Sequence, residues 1–286
     1  MNFDFPEDCR AIAAELRRVL ARICPMNEVR RCLDQAAPSS STWRALAELG
    51  VLGTAVPERW GGSGGGALPL AACAVELGWA CAPVPMLASA YLATEALLIA
   101  DDDDLRERWL PSMVSGQVVG SVALVQAALN CSDGRLSGTL PRVPAGATAG
   151  LVIAACDGVL WCVDLAQTGV ARRALRVLDP GCPLADIELD GVPAAALGDA
   201  ALQRTLLDRA AALLAMEQVG GADRALDMAR AYALQRRTFG RVVGSYQAIK
   251  HKLADIYIKN ELARSNAYYG AWALNTSAPE IGRAHV

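Results

Sequence analysis

The chain has 286 residues, enough for one large domain or two to three small ones. Apolar residues make up 53% and charged residues 20%, which provides a sizeable core and excludes a disordered chain. The net charge of −3 excludes the basic surface that nucleic acid or an anionic membrane requires.

Three zones of different texture predict an α+β chain in the order helices, sheet, helices. Residues 1–114 form the N-terminal helical domain, in which Ser40 or Ser41 is the expected N-cap of the second helix. Residues 115–199 carry short β-leaning runs between Gly and Pro turns, which predicts a small antiparallel β domain. Asp157-Gly158 has the composition of a hairpin turn within it. Residues 200–279 are helical again and form the third predicted domain.

Apolar faces are expected on both helices of the third zone. They consist of Leu206, Ala210, Leu213 and Gly220 on the first helix, and of Ile249, Leu253 and Ile256 on the second. Glu217 falls on the first face, so we expect it either in a salt bridge or near a cleft with a raised pKa.

The first zone contains a run of glycines and a run of aspartates, and both fit structural roles. Gly61–Gly66 lacks the Gly-Lys-Ser/Thr ending of a phosphate loop and is predicted to be a flexible turn. Asp101–Asp104 suits the start of a helix, where the positive end of the helix dipole favours carboxylates.

The nine cysteines are scattered and include no Cys-x-x-Cys pair. The N-terminus is acidic and lacks the apolar region of a signal peptide, so we expect a cytoplasmic protein with reduced thiols. Only two histidines are present, His251 and His285, and no metal site is predicted. Proline and polar residues interrupt both long uncharged stretches, 77–94 and 109–132, so no membrane span is expected.

The most informative motif lies between the last two helices, at Arg236–Gln247. Two adjacent guanidinium groups, a hydroxyl and an aromatic ring come just before Gly240. Guanidinium groups bind phosphate oxygens in pairs, and an aromatic ring can lie against a purine. The residues alone are compatible with a pyrophosphate-and-adenine site or with an ordinary charged turn.

The same region resembles the acyl-CoA dehydrogenases. From Tyr232 the chain reads YALQRRTFG, and from Gln247 it reads QAIKHKLAD, close to the family pattern Y-A-x-x-R-x-x-F-G and Q-x-x-[KQ]-x-x-[LM]-A-[DE]. The run that begins at Trp43, then Val56-Pro57-Glu58 and the glycines from Gly61, is similar to the family's first helical domain. The resemblance implies that family's fold, with an incomplete C-terminal helical bundle.

The resemblance also implies an activity, which is the FAD-dependent α,β-dehydrogenation of an acyl-CoA in fatty-acid or sterol side-chain β-oxidation. Arg236 and Thr238 match positions that touch the FAD pyrophosphate, and Phe239 and Gln247 match positions near its adenine. In the family these residues usually serve a neighbouring subunit's cofactor. A homo- or hetero-oligomer, a dimer or a dimer of dimers, is therefore implied, with an electron-transfer protein as acceptor.

The chain departs from the family at the flavin and at the catalytic base. The flavin-side loop T-E-x-x-x-G-S-D is replaced by Val125–Asp133, and Leu140-Pro141-Arg142-Val143 stands where an aromatic segment is expected. Ala210 occupies a position at which some members carry the catalytic carboxylate; in most it lies further on, beyond this chain. Glu217, about 10 Å further along the helix, is the candidate within the chain.

These departures leave two alternatives to an active dehydrogenase. One is a catalytically degenerate subunit that completes a heteromeric dehydrogenase, and the other is a helical scaffold without a ligand. Glu280–Val286 is also what the codons GAG-ATC-GGA-AGA-GCA-CAC-GTC encode, which looks like a sequencing-library adapter read in frame. We expect residues 280–286 to be a non-native tail on a truncated chain that is inactive alone.

Overall fold

The computed structural model describes residues 4–100, 102–125 and 127–276, so Asp101 and the predicted tail at 280–286 lie outside it. The chain divides into two compact units. The first comprises the described residues within 1–25, 67–82 and 212–286, and the second those within 26–66 and 83–211. In the part of the chain that is described, no helix has both the length and the apolarity that crossing a membrane takes. The three-domain boundaries stay a prediction.

The helices follow the predicted order. They are α1 (Glu7–Ile23), α2 (Met26–Gln35), α3 (Ser40–Glu48), α4 (Ala67–Ala80), α5 (Glu95–Ile99), α6 (Asp103–Val114), α7 (Leu202–Gln235) and α8 (Gln247–Asn275). Short 3₁₀ turns cover Val51–Gly53, Glu58–Trp60 and Val243–Ser245, and a π-helix covers Leu87–Thr94. The sequence predicts a helix around 84–99 but does not predict the wider π turns.

In the first unit, α1 and α4 pack together and α4 packs against both α7 and α8. Helix α4 is buried over almost its whole length. Gly78 and Gly220 allow the backbones of α4 and α7 to touch, because a Cβ at Gly220 would lie 1.9 Å from the Val75 carbonyl oxygen. The apolar face predicted for α7 is buried, whereas on α8 Ile249 and Leu253 are only partly covered and Ile256 is 42% exposed. The buried residues of α8 lie from Asn260 onward.

Two helix starts in the second unit show where local sequence signals succeed and fail. Asp102 caps α6 by accepting a hydrogen bond from the Leu105 N–H (2.8 Å), inside the predicted acidic run. The cap of α3 is Ser39 rather than Ser40 or Ser41, since its hydroxyl accepts from the Thr42 N–H (3.3 Å). Consecutive serines are equivalent as caps by composition, so backbone geometry decides between them.

The glycine run at 61–66 is hydrogen-bonded to the segment that precedes it. The Gly64 N–H donates to the Val56 carbonyl at 2.8 Å, and the Gly65 N–H to that of Thr54 at 2.9 Å. A Cβ at Gly62 would lie 1.9 Å from the same Val56 oxygen. The segment is a turn between helices, as predicted, and its glycines allow close packing against the preceding segment. Its flexibility stays a prediction.

The second unit also contains a seven-stranded sheet. Its strands are β1 (Gly120–Val122), β2 (Ala128–Ser132), β3 (Arg135–Pro144), β4 (Leu151–Cys156), β5 (Val159–Asp164), β6 (Val170–Ala174) and β7 (Leu184–Asp199). They are ordered β1-β4-β5-β7-β3-β2, and β6 also pairs with β7. Strands β4 and β5 form the predicted hairpin at Asp157-Gly158. The sheet is mixed rather than purely antiparallel, because β1 runs parallel to β4.

The core of the β region comes from alternating residues on these strands. It is built on fully buried aliphatic side chains, among them Leu136, Leu140, Val143, Val152 and Ile187. Strand β7 is the longest element of the sheet and pairs with β3, β5 and β6. Its length is not predicted from the sequence because polar residues and Gly191 interrupt the apolar run.

Candidate functional site

The segment between α7 and α8 is a small β-hairpin. Arg237 pairs with Val242 and Thr238 with Arg241, forming strands β8 (Arg237–Thr238) and β9 (Arg241–Val242). The Val243 N–H donates to the Arg236 carbonyl at 2.7 Å and closes the base. The sequence predicts a break between helices here but not a hairpin.

The turn of this hairpin requires two left-handed residues. Phe239 has φ +51° and Gly240 has φ +81°, the combination of a type I′ turn. Glycine adopts this conformation freely, but for a bulky residue it costs about 1–2 kcal/mol. Phe239 is 92% exposed, so burial of its ring does not offset the backbone strain. Backbone strain of this kind is concentrated at functional sites, and here it presents an aromatic ring to solvent.

Three arginines lie on the same short segment as Phe239. Arg236, Arg237 and Arg241 are exposed. Across the described ranges, no salt bridge links any of the three to a carboxylate. Guanidinium groups without an anionic partner favour the binding of phosphate oxygens.

The remaining predicted residues lie on the same segment. Thr238 is half-buried on β8, and Gln247 is exposed as the first residue of α8. The α8 N-terminus contributes positive dipole potential. Guanidinium groups, a hydroxyl, an uncovered aromatic ring and a helix N-terminus are together the donor set that an ADP-containing dinucleotide such as FAD requires. The residues therefore fit the cofactor that the resemblance implies.

Tyr246 is not among the site residues that the sequence predicts. Its hydroxyl donates to the Thr238 carbonyl (2.9 Å), and the Arg241 guanidinium carbon lies 4.0 Å from its ring centroid. The spacing of Arg241 and Tyr246 carries no signal in a helical or strand pattern. Their contact follows from the turn that folds β9 back.

The β region contains a cavity beside the loop that departs from the family's flavin-side pattern. The cavity has a volume of about 440 Å³ and is lined by apolar residues such as Leu124, Leu129 and Leu140 together with the polar residues Asp157 and Gln203. Gln126, in this loop, lies outside the described residues. Arg142 follows on β3 at an irregularity in the β3–β7 pairing, with φ +52°, and its N–H donates to Asp186 Oδ1 at 2.9 Å.

The two positions considered for the catalytic base are both on α7. Ala210 is buried at 4% exposure and has no group that can take a proton. Glu217 is half-buried, with one carboxylate oxygen inaccessible to solvent. Its backbone carbonyl faces Gly78, and a Cβ added at Gly78 would lie 1.8 Å from the Glu217 carbonyl oxygen.

A second polar cluster lies in the first unit, away from the hairpin motif. Arg17 forms a bidentate ion pair with the buried Glu76, and Arg264 pairs with Asp223. Burial raises the pKa of the Glu76 carboxyl, although the hydrogen bond from Arg17 opposes the shift. These residues line an open cleft of about 580 Å³. The sequence does not predict the cluster because its members come from four different helices.

Comparison with known proteins agrees with this architecture. The model of the acyl-CoA dehydrogenase N-terminal domain matches residues 6–117, and that of the C-terminal domain matches residues 198–286. The acyl-CoA dehydrogenase FadE34 of Mycobacterium tuberculosis is 37% identical over 79% of this chain, but the match spans only 31% of that relative. FadE27 of the same organism is 33% identical, covering 95% of this chain and 77% of the relative.

A solved structure shares this fold. The ChsE4-ChsE5 complex of Mycobacterium tuberculosis contains a chain with a TM-score of 0.89 and 28% identity. The match covers 99% of the present chain and 82% of the other. The protein therefore belongs to the acyl-CoA dehydrogenase family.

Proposed function

We propose that the protein is a cytoplasmic FAD-dependent acyl-CoA dehydrogenase, an oxidoreductase acting on a CH–CH bond in fatty-acid or sterol side-chain β-oxidation. The observation that carries the proposal is the hairpin between α7 and α8. It combines the strained backbone and exposed ring of Phe239 with guanidinium groups that have no carboxylate partner in the described ranges. Family membership gives this donor set its specific interpretation.

Each hairpin residue has a proposed role. Arg236 and the Thr238 hydroxyl bind the pyrophosphate of FAD, while Phe239 and Gln247 contact its adenine end. When bound, FAD would supply the acceptor for the hydride that leaves the β-carbon. Because the ring of Phe239 points into solvent, we propose that the hairpin serves a neighbouring subunit's cofactor, in a dimer or a dimer of dimers. An electron-transfer protein would then reoxidise the enzyme.

The catalytic base stays unassigned among the described residues. Ala210 cannot act, and Glu217 is the candidate within the chain. Replacement of Glu217 by glutamine tests it in an assembly of the protein that shows turnover: loss of a base would lower turnover by several orders of magnitude, with substrate binding retained. Unchanged turnover in Glu217→Gln would eliminate this candidate.

The cofactor assignment is tested by Arg236→Ala. Because a charge-assisted contact to phosphate is lost, the affinity for FAD should fall by roughly 10- to 100-fold. The helix content of the variant should not change. Arg230→Ala is the matched control, because Arg230 is 69% exposed on α7 and lies outside the hairpin. Flavin titration followed by fluorescence measures both. Equal affinities of the two variants would contradict the assignment.

The second candidate function is that of a degenerate partner subunit. The buried Ala210 favours it, because a residue without a carboxylate occupies a position of the base in some family members. The ChsE4-ChsE5 structure is itself a complex of two differently named chains. An active enzyme should purify yellow and reduce an artificial electron acceptor with a fatty-acyl or steroid side-chain thioester. Protein that gains flavin only when co-expressed with a neighbouring dehydrogenase gene would favour the partner function.

A further inference from the structure

The Tyr246 side chain connects the start of α8 to the tip of the hairpin. Tyr246 directly precedes α8, and its own carbonyl accepts hydrogen bonds from the N–H groups of Ile249 and Lys250, both at 3.1 Å. Its hydroxyl donates to the Thr238 carbonyl at 2.9 Å. One residue therefore anchors both the first turn of the helix and the strand that leads into the turn.

This hydrogen bond acts on the strained part of the hairpin. The Thr238 carbonyl belongs to the peptide group that joins Thr238 to Phe239, whose φ of +51° is unfavourable for a bulky side chain. Fixing that carbonyl fixes the orientation of the peptide plane at the start of the turn. The hydroxyl thereby opposes relaxation of Phe239 to an ordinary backbone conformation.

The ring of Tyr246 holds the opposite strand. The Arg241 guanidinium carbon lies 4.0 Å from the ring centroid, a cation–π distance. Two-stranded hairpins of this size are marginal in water by themselves. Tyr246 contacts both strands and therefore stabilises a hairpin that has only two paired positions of its own.

We propose that Tyr246 is the positioning residue of the dinucleotide site. The inference rests on the proposed function, and it assigns Tyr246 no contact with the cofactor. The side chain acts through the turn: it holds the Phe239 ring and the Thr238 hydroxyl in the arrangement that receives FAD. Preorganisation of this kind lowers the cost of ordering the site on binding.

Tyr246→Phe isolates the hydroxyl, because the ring and its stacking on Arg241 are kept. One neutral hydrogen bond corresponds to about 3- to 10-fold in an equilibrium constant. We expect the dissociation constant of FAD to rise by that factor, with an unchanged melting temperature. Tyr246→Leu also removes the ring and should weaken binding further. Tyr257→Phe is the matched control, since Tyr257 is 57% exposed on α8 and lies outside the hairpin.

A readout independent of the cofactor accompanies the titration. Trypsin cleaves after Arg237 and Arg241 when the hairpin opens, and mass spectrometry measures the rate at each bond. In the absence of FAD, Tyr246→Phe should be cut faster at these two bonds by a similar factor, while Tyr257→Phe is cut like the wild type. Cleavage elsewhere in the chain should not change.

The outcomes separate the two claims. Faster hairpin cleavage together with weaker FAD binding supports the positioning role. FAD binding by Tyr246→Phe that equals the wild type overturns the inference alone, and so does weaker binding with unchanged cleavage. A wild-type protein with no affinity for FAD overturns the proposed function, and the inference with it.

Discussion

Helices α4 and α7 touch through their backbones at Gly220, and a single methyl group there tests the packing of the first unit. In Gly220→Ala the new Cβ would lie 1.9 Å from the Val75 carbonyl oxygen and 3.0 Å from the Trp79 nitrogen. Real Cβ contacts hardly occur below 3.0 Å, so the two helices must separate by about 1 Å. The obstacle is backbone of a buried helix, which cannot rotate away as a side chain could.

The expected magnitude is a balance of two effects. Overpacking of a well-packed interior costs about 1–3 kcal/mol, and a rigid backbone obstacle favours the upper end. Alanine is a better helix former than glycine by about 1 kcal/mol. Gly220→Ala should therefore lower the free energy of unfolding by about 2 kcal/mol.

The adjacent glycine provides a matched control. A Cβ at Gly221 would meet only the Gly78 carbonyl oxygen, at 3.6 Å, which is an ordinary contact. Gly221→Ala gains the same helix preference without a clash, so it should be neutral or up to about 1 kcal/mol more stable. The two variants should thus differ by about 3 kcal/mol although they differ by one position.

Urea unfolding followed by far-UV circular dichroism measures the difference. The slopes of the unfolding transitions should agree, so that a shift in midpoint reports stability rather than a change in the denatured state. A Gly220→Ala midpoint equal to or above that of Gly221→Ala would refute the reasoning. The close approach of α4 and α7 would then be absent in solution.

Three further predictions concern a buried thiol, a buried ion pair and the strained turn. Burial, with a smaller contribution from a nearby carboxylate, raises the pKa of Cys73 from 9.0 to about 12, so the neutral thiol stabilises the fold fully below pH 9 and less at higher pH. Between pH 8 and pH 10 the wild type should lose about 1.4 kcal/mol of stability through ionisation of this thiol in the unfolded state, and Cys73→Ala should not show that loss. The same dependence of stability on pH in both proteins would contradict the pKa shift. Arg209→Met leaves the 1% exposed Glu95 carboxylate without its cation and should cost about 3–5 kcal/mol in chemical denaturation, most of which a second Glu95→Leu change should restore. Phe239→Asn places Asn-Gly at the type I′ turn, which should raise the free energy of unfolding by about 1 kcal/mol in chemical denaturation and weaken FAD binding. Unchanged stability of this variant would contradict the backbone strain at Phe239.

The hairpin shows how far the sequence reaches at the candidate site. The residue types between Arg236 and Gln247 are compatible with a phosphate-binding segment or with a charged turn, and the family resemblance favours the first. The order of apolar patterns predicts the helices on either side. The left-handed Phe239 and the contact of Tyr246 with Thr238 are not predictable in this way. Aromatic residues avoid positive φ, so local preference opposes the conformation that the surrounding contacts impose.

Helix α8 illustrates a different limit. Its apolar spacing predicts a buried face at Ile249, Leu253 and Ile256, yet burial is concentrated from Asn260 onward. Periodicity records that one face is apolar, not which segment covers it. The π-helix at Leu87–Thr94 is unpredicted for a related reason, because nearly all of its residues are apolar or small and carry no periodic signal.

By itself, the sequence determined the α+β class, the order of helices and strands, the β4–β5 hairpin and the membership that its motifs indicate. These follow from local pattern and from residue chemistry, which need no knowledge of distant partners. Tertiary structure alone decided the parallel β1–β4 pair, the glycine contact between α4 and α7, and the side chains that hold the Phe239 turn. Each of these joins segments that are separated along the chain or opposed by local preference, so only the folded arrangement can specify it.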